Sequence, residues 1–206
     1  MMRKAIKNLE LMKIGGVGET HYGGSQAWYR SVWRREAGCG PTTVTCVVSY
    51  LSRRGSCAAT DKTEFIELMN DVWGFVTPTI RGLPSTRHLT SGIRQYIAAR
   101  DFPAAVAELE ISGRATRRPA FEEVLSFIGD ALDRDAPVAF LCLDHGAEDR
   151  LDDWHWTTLV SLEYGEGGDS GPSATVGILD GGRLFEVDIY KWYRTSSSGG
   201  GFVAII

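Results

Sequence analysis

The sequence predicts an α+β protein in which helices come first and an antiparallel sheet follows. Two observations carry this. Through about residue 135, apolar residues recur at three- and four-residue spacing behind residue types that start helices. From Pro137 onward the pattern becomes short apolar runs separated by Gly-rich turns, as in a strand meander. Strands and helices do not alternate, which argues against a parallel α/β sheet. Residues 1–25 read as an N-terminal arm and 26–206 as one domain, helical over 26–135 and sheet over 136–206. A chain of 206 residues is long enough to bury a full core.

Taken in order, residues 1–13 suggest a short amphipathic helix or an arm, with Ile6, Leu9 and Met12 at helical spacing and Gly15-Gly16-Val17-Gly18 breaking it. Tyr22 to Ser25 reads as a loop, and Gln26 to Trp33 as an aromatic-rich turn or short helix. Residues 40–52 pose a conflict. Thr42, Thr43, Val44, Thr45, Val47 and Val48 are β-branched and lean to strand. Pro41 nevertheless marks a helix start, and Thr43, Cys46/Val47 and Tyr50/Leu51 fall on one helical face. The segment is therefore predicted to be a buried helix whose packing overrides its propensity. Further helices are predicted at about 61–73, capped by Thr60 or Asp61, from Ser85 or Thr86, and after Pro119. Pro78 and Pro84 bracket a loop, and 104–111 reads as a strand. The second half supplies strands at 137–143, 155–162, 174–179, 184–187 and 201–206. A hairpin tip falls at 165–172 and a short helix at 188–193.

The formal net charge of −4 argues against a nucleic-acid partner, which would want a basic face. No apolar run approaches the ~18 residues of a membrane span, and the N-terminus lacks a signal-peptide core, so a cytoplasmic location is expected. Cys39, Cys46, Cys57 and Cys142 form no Cys-x-x-Cys or Cys/His cluster, so neither zinc nor any other cofactor is expected. Cys46, Cys57 and Cys142 read as small buried apolar residues.

Cys39 is different. It stands between Gly38 and Gly40 at the start of the predicted buried helix, where backbone N–H groups and the helix dipole favour a thiolate. A nucleophile of this kind needs a base and a group that orients the base. Of the four histidines, His155 opens a core strand between Trp154 and Trp156. If the 156–164 and 174–179 strands form a hairpin centred near 168–169, His155 and Asp180 lie nearly opposite one another at its open end. That would put a carboxylate beside an imidazole, holding its tautomer. Alone, His155 reads as readily as a strand cap, and Asp180 as the first residue of an Asp-Gly turn.

Cys39-Gly-Pro-Thr opening a buried helix, His155-Trp-Thr-Thr-Leu-Val opening a strand, and a strand ending in Asp180-Gly-Gly together resemble the papain-fold cysteine peptidases. The resemblance covers about 26–206 and is strongest to the bacterial double-glycine (bacteriocin) leader peptidases. It implies a helical lobe around the Cys39 helix and a twisted antiparallel sheet. It also implies a Cys39–His155–Asp180 triad acting on a peptide or protein substrate, with the Cys39 backbone N–H as one oxyanion donor. In that family a glutamine a few residues before the cysteine gives the second donor. Six residues before Cys39 stands Trp33, and the nearest glutamine is Gln26, which would reach the site if 27–37 loops out. Trp154 and Trp156 would wall the substrate groove. Leu9 to Gly16 resembles a double-glycine leader, the substrate signature of that branch, with its Glu-Leu pair one residue too near the glycines; it is read as coincidence.

The leading expectation is a cysteine peptidase or amidase-like hydrolase working through a thioester. The same groups would serve acyl or peptide transfer. A non-catalytic peptide-binding module is the alternative of another class, with Trp28, Trp33, Trp154, Trp156 and Trp192 along its groove.

Overall fold

The computed structural model describes residues 1–16, 18–56, 60–166 and 172–206. In chain order the strands and helices are β1 (Met2–Ala5), β2 (Lys13–Gly16), β3 (Glu19–Tyr22), α1 (Val32–Ala37), α2 (Cys39–Ser52), β4 (Thr60–Asp61), α3 (Lys62–Trp73) and α4 (Thr86–Ala99). They continue with β5 (Val106–Ser112), α5 (Phe121–Asp133), β6 (Val138–Cys142), β7 (His155–Glu166), β8 (Pro172–Asp180), β9 (Arg183–Asp188), α6 (Ile189–Thr195) and β10 (Gly199–Ile205). The architecture is α+β, as the sequence predicts, with an antiparallel main sheet in the order β5-β10-β6-β7-β8-β9.

The buried helix is present. Every residue of α2 from Gly40 to Tyr50 is buried, so its β-branched side chains are selected by packing on all sides rather than by helix propensity. Val44, Val47 and Val48 join Leu89, Ile93, Leu141 and Trp156 in one apolar cluster between α2, α4 and the sheet. Thr45 returns its hydroxyl to the Pro41 carbonyl at 2.7 Å, which lets a polar residue sit in that core. Asp61 caps α3 and Ser85 caps α4 through side-chain oxygens, as the cap residues suggest.

Three expectations are corrected. Residues 1–25 are not an arm: β1 pairs with β7, and Ile6, Leu11 and Met12 are buried in the main core. They do not form a helix beyond one 3-10 turn at Leu9–Met12, because the edge of β7 beyond β6 offers a backbone partner that outweighs the local pattern. Gly15-Gly16 is strand rather than a break: it lies in β2, between β3 and β4, while Val17 lies outside the described residues. The sheet is also not a simple meander. β10 returns to lie between β5 and β6. The hairpin tip falls mostly outside the described residues, as does Cys57.

Candidate active site

Cys39 is the first residue of α2, and α1 runs into it through Gly38 alone. That junction requires glycine. A Cβ at Gly38 would stand 2.3 Å from the Arg34 carbonyl oxygen and 2.7 Å from the Tyr29 ring. Gly40 is equally crowded, with Leu83 at 2.5 Å from a built Cβ. The two glycines flanking Cys39 therefore let the helix start against its neighbours, leaving the half-buried thiol at the positive end of a 14-residue helix.

His155 and Asp180 meet at the open end of the β7–β8 hairpin. Thr158 faces Leu179 and Leu159 faces Ile178, so Asp180 lies across from position 157, two residues from His155 rather than opposite it. An offset of two preserves the face of the sheet, and an offset of one would not. The register is set by a bulge between Leu159 and Ser161. Without that bulge Asp180 would face position 158 and point away from His155. Beyond the pair, Gly181 and Gly182, at φ 56° and 81°, turn the chain back into β9.

The His155 Nε2 is 2.9 Å from an Asp180 carboxylate oxygen, with the two side chains 15% and 30% exposed. Nε2 is thereby occupied as donor, leaving Nδ1 for a second partner. Burial pushes the imidazole toward its neutral form. The hydrogen bond to Asp180 and the proximity of the Asp180 and Cys39 side chains outweigh this and raise the His155 pKa to about 10. The imidazolium is thus the favoured form at neutral pH. Cys46 and Cys142 are pushed the other way by burial, to about 11 and about 12, and remain thiols.

Two spaces adjoin Cys39. One is a small pocket of about 10 Å³, room for a single water, whose walls include Gln26, Thr42, Thr158 and Asp180. Residues 27–37 do loop out, through a 3-10 turn at Gln26–Trp28 and α1, so Gln26 shares this cavity with Cys39. Its Oε1 is buried there without a hydrogen-bond partner among the described residues. The other is an open cleft of about 310 Å³, lined by Cys39, Trp33, Ile80, Leu83, Leu143 and Trp154 among others.

Trp154 thus stands on the cleft, 61% exposed. Trp156 does not. It is buried in the core with its indole N–H donated to the Leu83 carbonyl at 2.8 Å, because strand alternation turns it inward toward α2. Trp192 is likewise core, its indole N–H on the Asp144 carbonyl. The Ile80–Leu83 wall was not singled out in the sequence; its signal was an apolar pair inside a proline-bracketed loop. Among the described residues, two groupings of histidine with aspartates come close enough to share a cation, Asp144–His145–Asp153 and Asp152–His155–Asp180. In both, the histidine already bonds an aspartate. No helix among the described residues is long and apolar enough to cross a membrane.

The chain matches no family model, no curated protein and no solved structure.

Proposed function

We propose that the protein is a cysteine hydrolase of papain-like fold, cleaving a peptide or amide bond through a thioester on Cys39. The observation that carries this reading is the His155–Asp180 hydrogen bond beside a half-buried thiol at a helix N-terminus, on a cleft open to solvent. Asp180 holds the Nε2 proton and so presents Nδ1 toward the thiol. With the proton on His155, the Cys39 thiolate bonds to the substrate carbonyl carbon and the carbonyl π pair moves to oxygen. The Cys39 backbone N–H supplies one donor to that oxygen. Gln26, with its amide turned to present Nε2 to the shared cavity, supplies the other. The C–N bond then breaks as His155 gives its proton to the departing amine. Water next adds to the thioester while His155 takes its proton. The C–S bond breaks, the acid leaves, and the thiolate–imidazolium pair returns. The aromatic side chains support this reading over a purely binding module, since only Trp33 and Trp154 of the five tryptophans considered line the cleft.

The test is exposure of the purified chain to a proteome-derived peptide library, with new termini read by mass spectrometry. Cleavage by the wild type that disappears in Cys39→Ala supports the proposal. No new termini, or the same termini with Cys39→Ala, refutes it.

A further inference from the structure

We propose that Cys46, a buried thiol on the helix that Cys39 begins, is a positioning residue that holds the Gln26 segment in place against the nucleophile. The inference rests on the cysteine-hydrolase reading and names what sets the geometry of its oxyanion side. The Gln26 side chain does not fix itself: its Oε1 is buried without a hydrogen-bond partner among the described residues. Its place is therefore set by the backbone that carries it. That backbone is a strap, Tyr22 to Gln26, running from the end of β3 into the 3-10 turn at Gln26–Trp28. The Tyr22 N–H donates to the Gly182 carbonyl at 2.9 Å, in the turn after Asp180, and the Gly23 N–H donates to the Met12 carbonyl at 2.8 Å. The Gly24 N–H donates to the Cys46 sulfur at 3.2 Å. Among the described residues this last bond is the one hydrogen bond between the strap and α2.

Helix geometry makes the link direct. Side chains three or four residues apart, and again two turns apart, share one helix face. Cys39, Thr42 and Cys46 therefore run along the face of α2 that walls the small pocket together with Gly24 and Gln26. The fit around the sulfur leaves no slack. Gly23 takes φ 73°, and a Cβ there would stand 3.1 Å from the Leu179 side chain and 3.5 Å from the Cys46 sulfur. A Cβ on Gly24 would stand 2.4 Å from the Phe65 ring. Leu179 immediately precedes Asp180, so the sulfur lies where the nucleophile's helix, the Gln26 strap and the end of β8 converge. Trp28, at the far end of the turn, packs edge-on against Phe65, which ties the strap to α3 but not to α2.

A thiol suits this place. Gly24 is buried and its N–H needs an acceptor, and sulfur accepts a hydrogen bond while remaining easy to bury. A side chain of similar size without an acceptor would leave that N–H unpaired. A buried unpaired N–H is costly enough to move the strap toward another partner. Gln26, two residues on, moves with it. A shift of about 1 Å in a group that faces the reacting atoms slows the reaction by up to about 100-fold.

The test uses a peptide that the wild type cleaves and Cys39→Ala does not. Cys46→Val, Cys46→Ser, Gln26→Ala and Cys46→Val/Gln26→Ala are made in the full chain. Cys46→Val keeps the bulk and removes the acceptor, and Cys46→Ser keeps an acceptor. Cys46→Ala takes the place of the valine variant if circular dichroism shows that valine unfolds the chain. The expected result is that Cys46→Val lowers kcat about 10–100-fold with KM within about threefold, and that Cys46→Ser returns kcat to within about threefold of wild type. On the Gln26→Ala background the valine change should lower kcat less than about twofold, because its effect passes through Gln26. Iodoacetamide alkylation of Cys39, in which the thiolate displaces iodide and no oxyanion forms, should stay within about twofold of wild type in every variant. Four results each overturn the proposal while Cys39-dependent cleavage keeps the hydrolase reading. They are a kcat loss under about threefold in Cys46→Val, an equal loss with and without Gln26, Cys46→Ser as slow as Cys46→Val, and alkylation slowed in step with cleavage. No Cys39-dependent cleavage of any peptide removes the hydrolase reading and this inference with it.

Discussion

Replacing Asp180 by asparagine keeps the shape of the side chain and an acceptor oxygen, and removes the charge. In the native site the Asp180 carboxylate lies 2.9 Å from His155 Nε2. Burial opposes the imidazolium, and the Asp180 hydrogen bond is the largest of the contributions that reverse this and carry the ring to about 10. A hydrogen bond between charged partners contributes about 1.5–3 kcal/mol, and one pKa unit is about 1.4 kcal/mol. Asp180→Asn should therefore lower the His155 pKa by about 1–2 units. With only four histidines, isotope-labelled imidazole NMR resolves the titration, and His155→Ala assigns it. A stability consequence follows with a definite sign. Because the folded pKa is raised, the protonated ring stabilises the fold fully below about 6.5, and that contribution is lost as pH rises through about 10. In urea unfolding, the gap between wild type and Asp180→Asn should stay open through neutral pH and close past about pH 10. A His155 titrating near 6.5 in both proteins, or a gap that widens with pH, refutes the reasoning.

Three further outcomes are expected. Gln26→Ala should slow acyl-enzyme formation by about 10²–10³, the loss typical of one oxyanion donor, in stopped-flow assays with a cleaved peptide; a loss under threefold removes Gln26 from that role. Gly38→Ala forces a Cβ to 2.3 Å from a backbone oxygen and should destabilise the protein by about 1–3 kcal/mol in urea, through movement of α1 against α2. Trp154→Gly relieves the left-handed backbone at the cost of a more flexible unfolded chain. It should raise stability by about 0.5–2 kcal/mol while weakening substrate binding, seen as a higher KM.

Much of the site was legible because its signals are local. Pro41, the i, i+3/i+4 spacing and the flanking glycines marked α2 despite a β-branched run. The hairpin between 155 and 180 could be counted from its turn. That count places Asp180 near position 157 but not its face: without the Leu159/Ser161 bulge it would stand opposite 158, on the wrong face, and no residue type announces the bulge. The N-terminal segment was misread for a different reason. Met2–Ala5 has no alternating pattern of its own, and becomes a strand only because β7 extends past the end of β6 and offers it a free edge. β10 was legible as a strand but not in its place. Gly199 and Gly200 have positive φ, and Cβ atoms there would fall 2.0 Å from the carbonyl oxygens of Ile111 and Leu141. Those glycines let β10 enter between β5 and β6, a long-range requirement that reads in sequence as a flexible linker. Trp33, Ile80 and Trp154 come together only in three dimensions, so the cleft was half visible, through its tryptophans.

The central claim is that Cys39 is a nucleophile activated by His155. Site-resolved iodoacetamide labelling at neutral pH tests it most directly. Cys46 and Cys142 are buried thiols with pKa values raised to about 11 and about 12, and should react slowly. Cys39 should react far faster than either, and His155→Ala should slow Cys39 alone. Uniform labelling of the cysteines, with a Cys39 rate unchanged by His155→Ala, would contradict the account.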